Sequence, residues 1–166
     1  MAEVRLTAVR PGEAARDEFA DWVEPHLPAL ARLAARLAPA GDRDDVLQDA
    51  LTRAWRKRHT FDPARGTPLA WLLAITADQA RRARVRHRPR ALLEVRATRS
   101  VDDRLDIEAA VARLPERQRL AVDCFYFVGL SVGETAAVMR CAEGTVKSTL
   151  ADARQRLAEI LDGRRR

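Results

Sequence analysis

Aromatic residues are scarce in this chain, at 5% of 166 residues, and runs of β-branched residues are almost absent. Both are enriched in strands, so the composition speaks for helix. No apolar run approaches the roughly 20 residues needed to span a bilayer. Met1 to Gly12 lacks the apolar stretch of a secretory signal, so the expected compartment is the cytoplasm, without membrane insertion. Two cysteines are present, Cys124 and Cys141. They lie too far apart to read as a metal motif, and no histidine is spaced to join them. Cys124 reads as a core residue and Cys141 as a weak helix N-cap. The sequence has no nucleophile–base set, no Gly-rich phosphate loop followed by Lys-Ser or Lys-Thr, and no metal-ligand spacing. It therefore predicts no enzyme, no cofactor and no metal. Low-complexity tracts and fixed-period repeats are missing too.

What remains is charge and helix formers. Charged residues make up 33% of the chain and the net charge is +6, which points to a polyanionic partner. The charge is clustered: Arg81, Arg82, Arg84, Arg86, Arg88 and Arg90 fall within ten residues, and Arg164, Arg165 and Arg166 close the chain. Alanine, leucine and arginine favour helix throughout.

Residues 1–12 read as a loose leader. A long apolar stripe from about Glu13 to Leu37 (Phe19, Val23, Leu27, Leu30, Leu33, Ala34, Leu37) predicts helix, which Pro25 and Pro28 can break in two. After the turn at Pro39-Ala40-Gly41, Asp42 is placed to cap a second helix. Its apolar face is Val46, Leu47, Ala50, Leu51, Ala54 and Trp55, and Asp45, Gln48, Asp49 and Thr52 share the opposite side. A loop, Phe61-Asp62-Pro63-Ala64-Arg65-Gly66, leads to Thr67, a cap followed by Pro68 at a first helical position. The third helix buries Leu69, Leu72, Leu73, Thr76, Ala80 and Ala83 and runs into the arginine cluster. Residues 87–101, weak in apolar pattern and broken by Pro89, read as a linker. The expected architecture is all-α: one helical unit over 13–86 and a second over 102–163, free to move against each other because the linker offers little to dock.

The second unit spells a helix-turn-helix. Pro115 suits a first helical position, Ala121, Cys124, Phe125 and Val128 follow at helical spacing, and Gly129 can close the helix. Ser131 and Glu134 form a capping box opening a short helix. After Arg140-Cys141-Ala142, a longer helix carries Val146, Leu150, Ala153, Leu157 and Leu161 on one face. Lys147, Ser148, Thr149, Arg154 and Gln155 lie on the other. This is the geometry that sets a helix in a DNA major groove.

Taken together, Gly41 to Ala50, Arg53-Ala54-Trp55-Arg56, Phe61 to Gly66 and Trp71 to Ile75 resemble the second conserved region of bacterial sigma factors. The helix-turn-helix resembles the fourth region. With too few residues between them for a third, the plan is similar to that of the extracytoplasmic-function sigma factors, over roughly residues 15–162. The resemblance implies binding to core RNA polymerase through Asp45, Gln48, Asp49 and Thr52. It implies reading of the minus-ten element as single strand by the Phe61–Thr67 loop and the next helix, through Phe61, Arg65, Asp78 and Gln79, with Arg81, Arg82 and Arg84 on phosphates. Trp55 and Trp71 read first as core residues. It further implies reading of a duplex minus-thirty-five element by Thr145, Lys147, Ser148, Thr149 and Arg154. The implied partners are core polymerase, promoter DNA and an anti-sigma factor, for a chain that is a monomer when free. Four positions depart from the family pattern: Asp78 replaces an Asn, Arg140 a turn Gly, and Thr149 and Asp152 stand where Arg is frequent. Two other readings compete: a stand-alone helix-turn-helix regulator, and a module that only sequesters another regulator.

Overall fold

The computed structural model describes residues 11–39, 41–86 and 103–162, all of them helix, turn or connecting loop. The linker expected at 87–101 and the leader up to residue 10 lie outside the described residues. Helix α1 (Pro11–Val23) starts two residues before the expected position. The expected break follows at once: a 3-10 turn, Glu24–His26, holds Pro25, and α2 (Leu27–Leu37) carries Pro28 in its first turn, where a missing N–H costs nothing. Helix α3 (Arg43–Lys57) has Asp42 at the N-cap position, without a side-chain capping bond. Helix α4 (Pro68–Arg86) is capped as its sequence predicts, by the Ala70 N–H donating to Thr67 Oγ1 at 3.2 Å.

These helices form the first unit. Leu30, Leu33 and Leu37 of α2, Val46 and Ala54 of α3, and Leu72, Leu73, Ala77, Ala80 and Ala83 of α4 are buried in one cluster. Five aromatics seal one end. Trp22 of α1 packs edge-on against Phe61 and Trp71 at 5.4 and 6.0 Å between centroids, and Phe19 meets Trp55 at 5.3 Å. Five of the eight aromatics are thus spent in one place, where geometry favours tilted and edge contacts.

The second unit is α5 (Asp103–Ala112), α6 (Glu116–Val122), α7 (Val132–Met139) and α8 (Glu143–Asp162). Pro115 occupies the N-cap of α6 rather than its first helical position. After Val122 the helix widens into a π segment, Asp123–Val128, before Gly129 ends it in the left-handed conformation at φ 80°. The Ser131–Glu134 capping box is complete: Glu134 N–H donates to Ser131 Oγ at 3.2 Å, and Ser131 N–H to Glu134 Oε2 at 2.7 Å. Gly133 leaves room for the start of α8, since a Cβ there would lie 3.1 Å from Glu143 Oε1. Cys124 is a core residue as expected, whereas Cys141 precedes α8 by two residues and packs on the core instead of capping.

In the structure the two units pack against each other. Cys124, Val128, Leu130 and Val138 of the second unit are buried in the same cluster as Leu33, Leu37, Leu72 and Leu73 of the first. Helix α7 lies along α4 and the π segment against α2. The docking surface is made by the helices, so a polar linker was no guide to it.

Candidate nucleic-acid interface

Helix α3 turns one apolar side inward, with Val46, Ala50 and Ala54 buried. At 100° per residue this leaves Asp45, Gln48, Asp49 and Thr52 together on the outside, and all four are exposed. Asp49 reaches Arg86 of α4 at 3.9 Å, an exposed pair of little energetic weight. The face is an open, acidic hydrogen-bonding strip on a rigid element.

The loop before α4 is shaped by its own residues. Asp62 accepts from the Ala64 N–H at 2.9 Å, fixing a short 3-10 turn, Pro63–Arg65, and Gly66 follows at φ 153°, a backbone state that side chains disfavour. The loop bounds a cleft of about 420 Å³ whose walls include Phe61, Arg65, Thr67 and Trp71, with Ala137 of α7 closing one side. Phe61 is half-buried against Trp22 and Trp71, so it is both a packing residue and a wall of the cleft.

Along α4, Arg81, Arg82 and Arg84 are exposed. Asp78 pairs with Arg81 one turn on, Nη1 to Oδ1 at 2.6 Å, and with Arg140 of the second unit. Gln79 is only 6% exposed and its Nε2 has no hydrogen-bond partner, so it faces the core rather than a nucleic acid. Period 3.6 explains this: Gln79 follows Leu72 and Thr76 on the buried stripe. Arg84 has its pKa lowered, first by partial burial and then by Arg119 nearby, with Asp123 and Glu116 opposing.

On α8, Lys147, Ser148 and Arg154 are exposed and Thr145 is half-buried. Thr149 is 8% exposed and its hydroxyl donates to Thr145 O at 2.7 Å, so in this state it does not face a ligand. Ser148 bonds the same carbonyl at 3.1 Å and can swing away, being on the surface. The helix start, with Gly144 and Thr145 ahead of Lys147, is where a backbone can approach a phosphate.

Sequence reasoning missed the contacts that join the units. Arg36 Nε donates to Asp123 Oδ1 at 2.7 Å, Arg36 Nη1 lies 3.4 Å from Glu108, and the guanidinium sits over the Phe127 ring at 3.9 Å. Burial raises the pKa of Asp123 and the Arg36 hydrogen bond opposes it. Arg36 and Asp123 are 87 residues apart, and no local pattern links them. Among the described residues no cluster suits a metal ion, and no helix is long and apolar enough to cross a membrane.

A charged outer face on α3, a loop-bounded cleft beside an arginine-bearing helix, and a capped helix-turn-helix together define a transcription factor of the sigma type. The chain belongs to the ECF RNA polymerase sigma factors. Residues 22–90 match the family model for Sigma-70 region 2 and residues 104–157 that for Sigma-70, region 4. It is 38% identical to the ECF RNA polymerase sigma factor SigM of Mycobacterium tuberculosis, over 80% of this chain and 69% of that protein. It is 31% identical to the ECF RNA polymerase sigma factor EcfG of Rhodopseudomonas palustris, over 87% of this chain and 86% of that one. A similar solved structure is that of CnrH in complex with the cytosolic domain of CnrY, with a TM-score of 0.67 and 30% identity over 92% of this chain and 94% of that one. Another is the sigma factor RpoE bound to the anti-sigma factor NepR from Bartonella quintana, with a TM-score of 0.64 and 29% identity over 88% and 98%. The protein is therefore a sigma factor, which binds core RNA polymerase and directs it to promoters for transcription initiation.

Proposed function

We propose a division of labour among three surfaces. The outer face of α3, through Asp45, Gln48, Asp49 and Thr52, holds core polymerase. The cleft of Phe61, Arg65 and Trp71 takes an unpaired base of the minus-ten element, while Arg81, Arg82 and Arg84 hold the adjacent phosphates. Lys147, Ser148, Arg154 and Thr145 of α8 read the minus-thirty-five duplex. Gln79 and Thr149 are left as packing residues, and Asp78 reaches DNA only when its two arginine partners let go. The observation that carries this reading is the α3 face: four hydrogen-bonding side chains at i, i+3, i+4 and i+7, all exposed, on a helix whose other side is core.

The reading gives the protein no reaction of its own, places it in the cytoplasm and makes it a monomer when free. An anti-sigma factor belongs to it as well: the similar sigma factor RpoE is held in a complex with the anti-sigma factor NepR. The test is co-elution with core polymerase on a sizing column, followed by run-off transcription. Asp45→Ala with Gln48→Ala is expected to weaken the complex about tenfold or more, the loss of one to two charge-assisted hydrogen bonds. Unchanged co-elution would remove the α3 face from the reading. Tight sequence-specific duplex binding with no polymerase complex would favour a stand-alone regulator.

A further inference from the structure

We propose that Asp78 and Arg140 form a latch that holds the helix-turn-helix unit closed over the loop-bounded cleft. Each residue is at odds with its position, Asp78 with a nucleic acid and Arg140 with its own backbone. Asp78 is a carboxylate on the helix that bears Arg81, Arg82 and Arg84, where it would repel phosphate. Arg140 is the one non-glycine residue at positive φ among those described, at 53°, a conformation that costs an L side chain about 1 kcal/mol and that glycine adopts freely. These two misfits, 62 positions apart, meet as an ion pair between the units. A residue that breaks a local rule and gains no contact is a defect, whereas two that break local rules in order to reach each other form a device.

The position of the pair gives it leverage. Arg140 ends α7, and α7 lies along α4 and supplies Ala137 as a wall of the cleft. Helix α8 packs on α7, so the duplex-reading helix stands about one helix spacing, ~10 Å, from α7. Two promoter elements some 25 base pairs apart lie about 85 Å from each other along the duplex. The closed form can engage one of them and not both. Opening must part α7 from α4, and the Asp78–Arg140 pair stands at that seam. Asp78 is 18% and Arg140 61% exposed, so the pair sits at the rim, where salt and competing charges reach it. An anion arriving at Arg140, or a cation at Asp78, undoes it. A DNA phosphate supplies the first, and Arg81, already beside Asp78, keeps the freed carboxylate neutralised.

That consequence rests on the reading of the cleft and α8 as DNA-reading sites. The latch itself is tested without polymerase or DNA, so the two can fail separately. Cys124 is fully buried in the core the units share, and its labelling by a thiol reagent under native conditions, resolved by peptide mass, reports their separation. Asp78→Asn and Arg140→Gly are each expected to speed labelling about three- to fivefold, the range for a rim ion pair. The double variant should be no faster than either single, and 0.5 M salt should speed the wild type but not the variants. A purely structural role makes the opposite prediction for Arg140→Gly, because relieving the left-handed strain stabilises the turn and slows labelling. Unchanged or slower labelling in Asp78→Asn and Arg140→Gly would overturn the latch, as would additive effects in the double variant.

Discussion

Arg36 and Asp123 show how one buried charge sets an asymmetry between partners. Asp123 has a side chain only 5% exposed, and its main bond is to Arg36. Removing the arginine strands a carboxylate in the interior; neutralising the acid leaves an amide that still accepts from Arg36 Nε. Arg36→Ala is therefore expected to cost about 3 kcal/mol and Asp123→Asn less than 1, measured by urea unfolding. The pH dependence follows from the raised pKa of Asp123. As pH falls, the native state binds this proton before the unfolded chain does. The contribution is stabilising, fully present below the ordinary carboxylate range, and lost as pH rises through the raised pKa. Asp123→Asn should flatten this segment of the stability–pH curve. Burial also pushes the Cys124 thiol up to about 12, so it stays protonated and inert at neutral pH while the units are closed.

At the scale of the element, most of the second unit was legible in the sequence because its punctuation is chemical. Gly129 and the Ser131–Glu134 box both appear where the residues put them. Ser131→Ala should cost about 1 kcal/mol and leave the helix content nearly intact, as read by thermal melts followed by circular dichroism. The π segment was not legible. Cys124, Phe125 and Val128 fit ordinary helical spacing, and the wider turn shows only once the segment packs against α2 with Cys124 and Val128 buried. On α4 and α8, the polar letters at Gln79 and Thr149 suggested outward positions, but the helical phase set by their apolar neighbours put them inside. The α3 face was readable for the opposite reason: its polar and apolar residues separate cleanly at the helical period.

For the whole molecule, the two-unit plan was readable from the order of its motifs, while the closed arrangement was not. Its docking surface is spread over α2, α4, the π segment and α7, and each contributes apolar residues that a single helix would bury anyway. A core shared in this way couples the units. Thermal unfolding followed by calorimetry is expected to give one cooperative transition, with calorimetric and van't Hoff enthalpies in agreement. Two resolved transitions would mean that the units melt independently and that the shared core contributes little.

The shared core also bears on how long the factor survives and how much of it a cell can hold. Leu130 and Val138 of the second unit share one buried cluster with Leu33, Leu37 and Leu72 of the first, so parting the units exposes apolar surface at the seam. An opened chain without a partner therefore presents a sticky apolar surface, the feature that chaperones and proteases recognise.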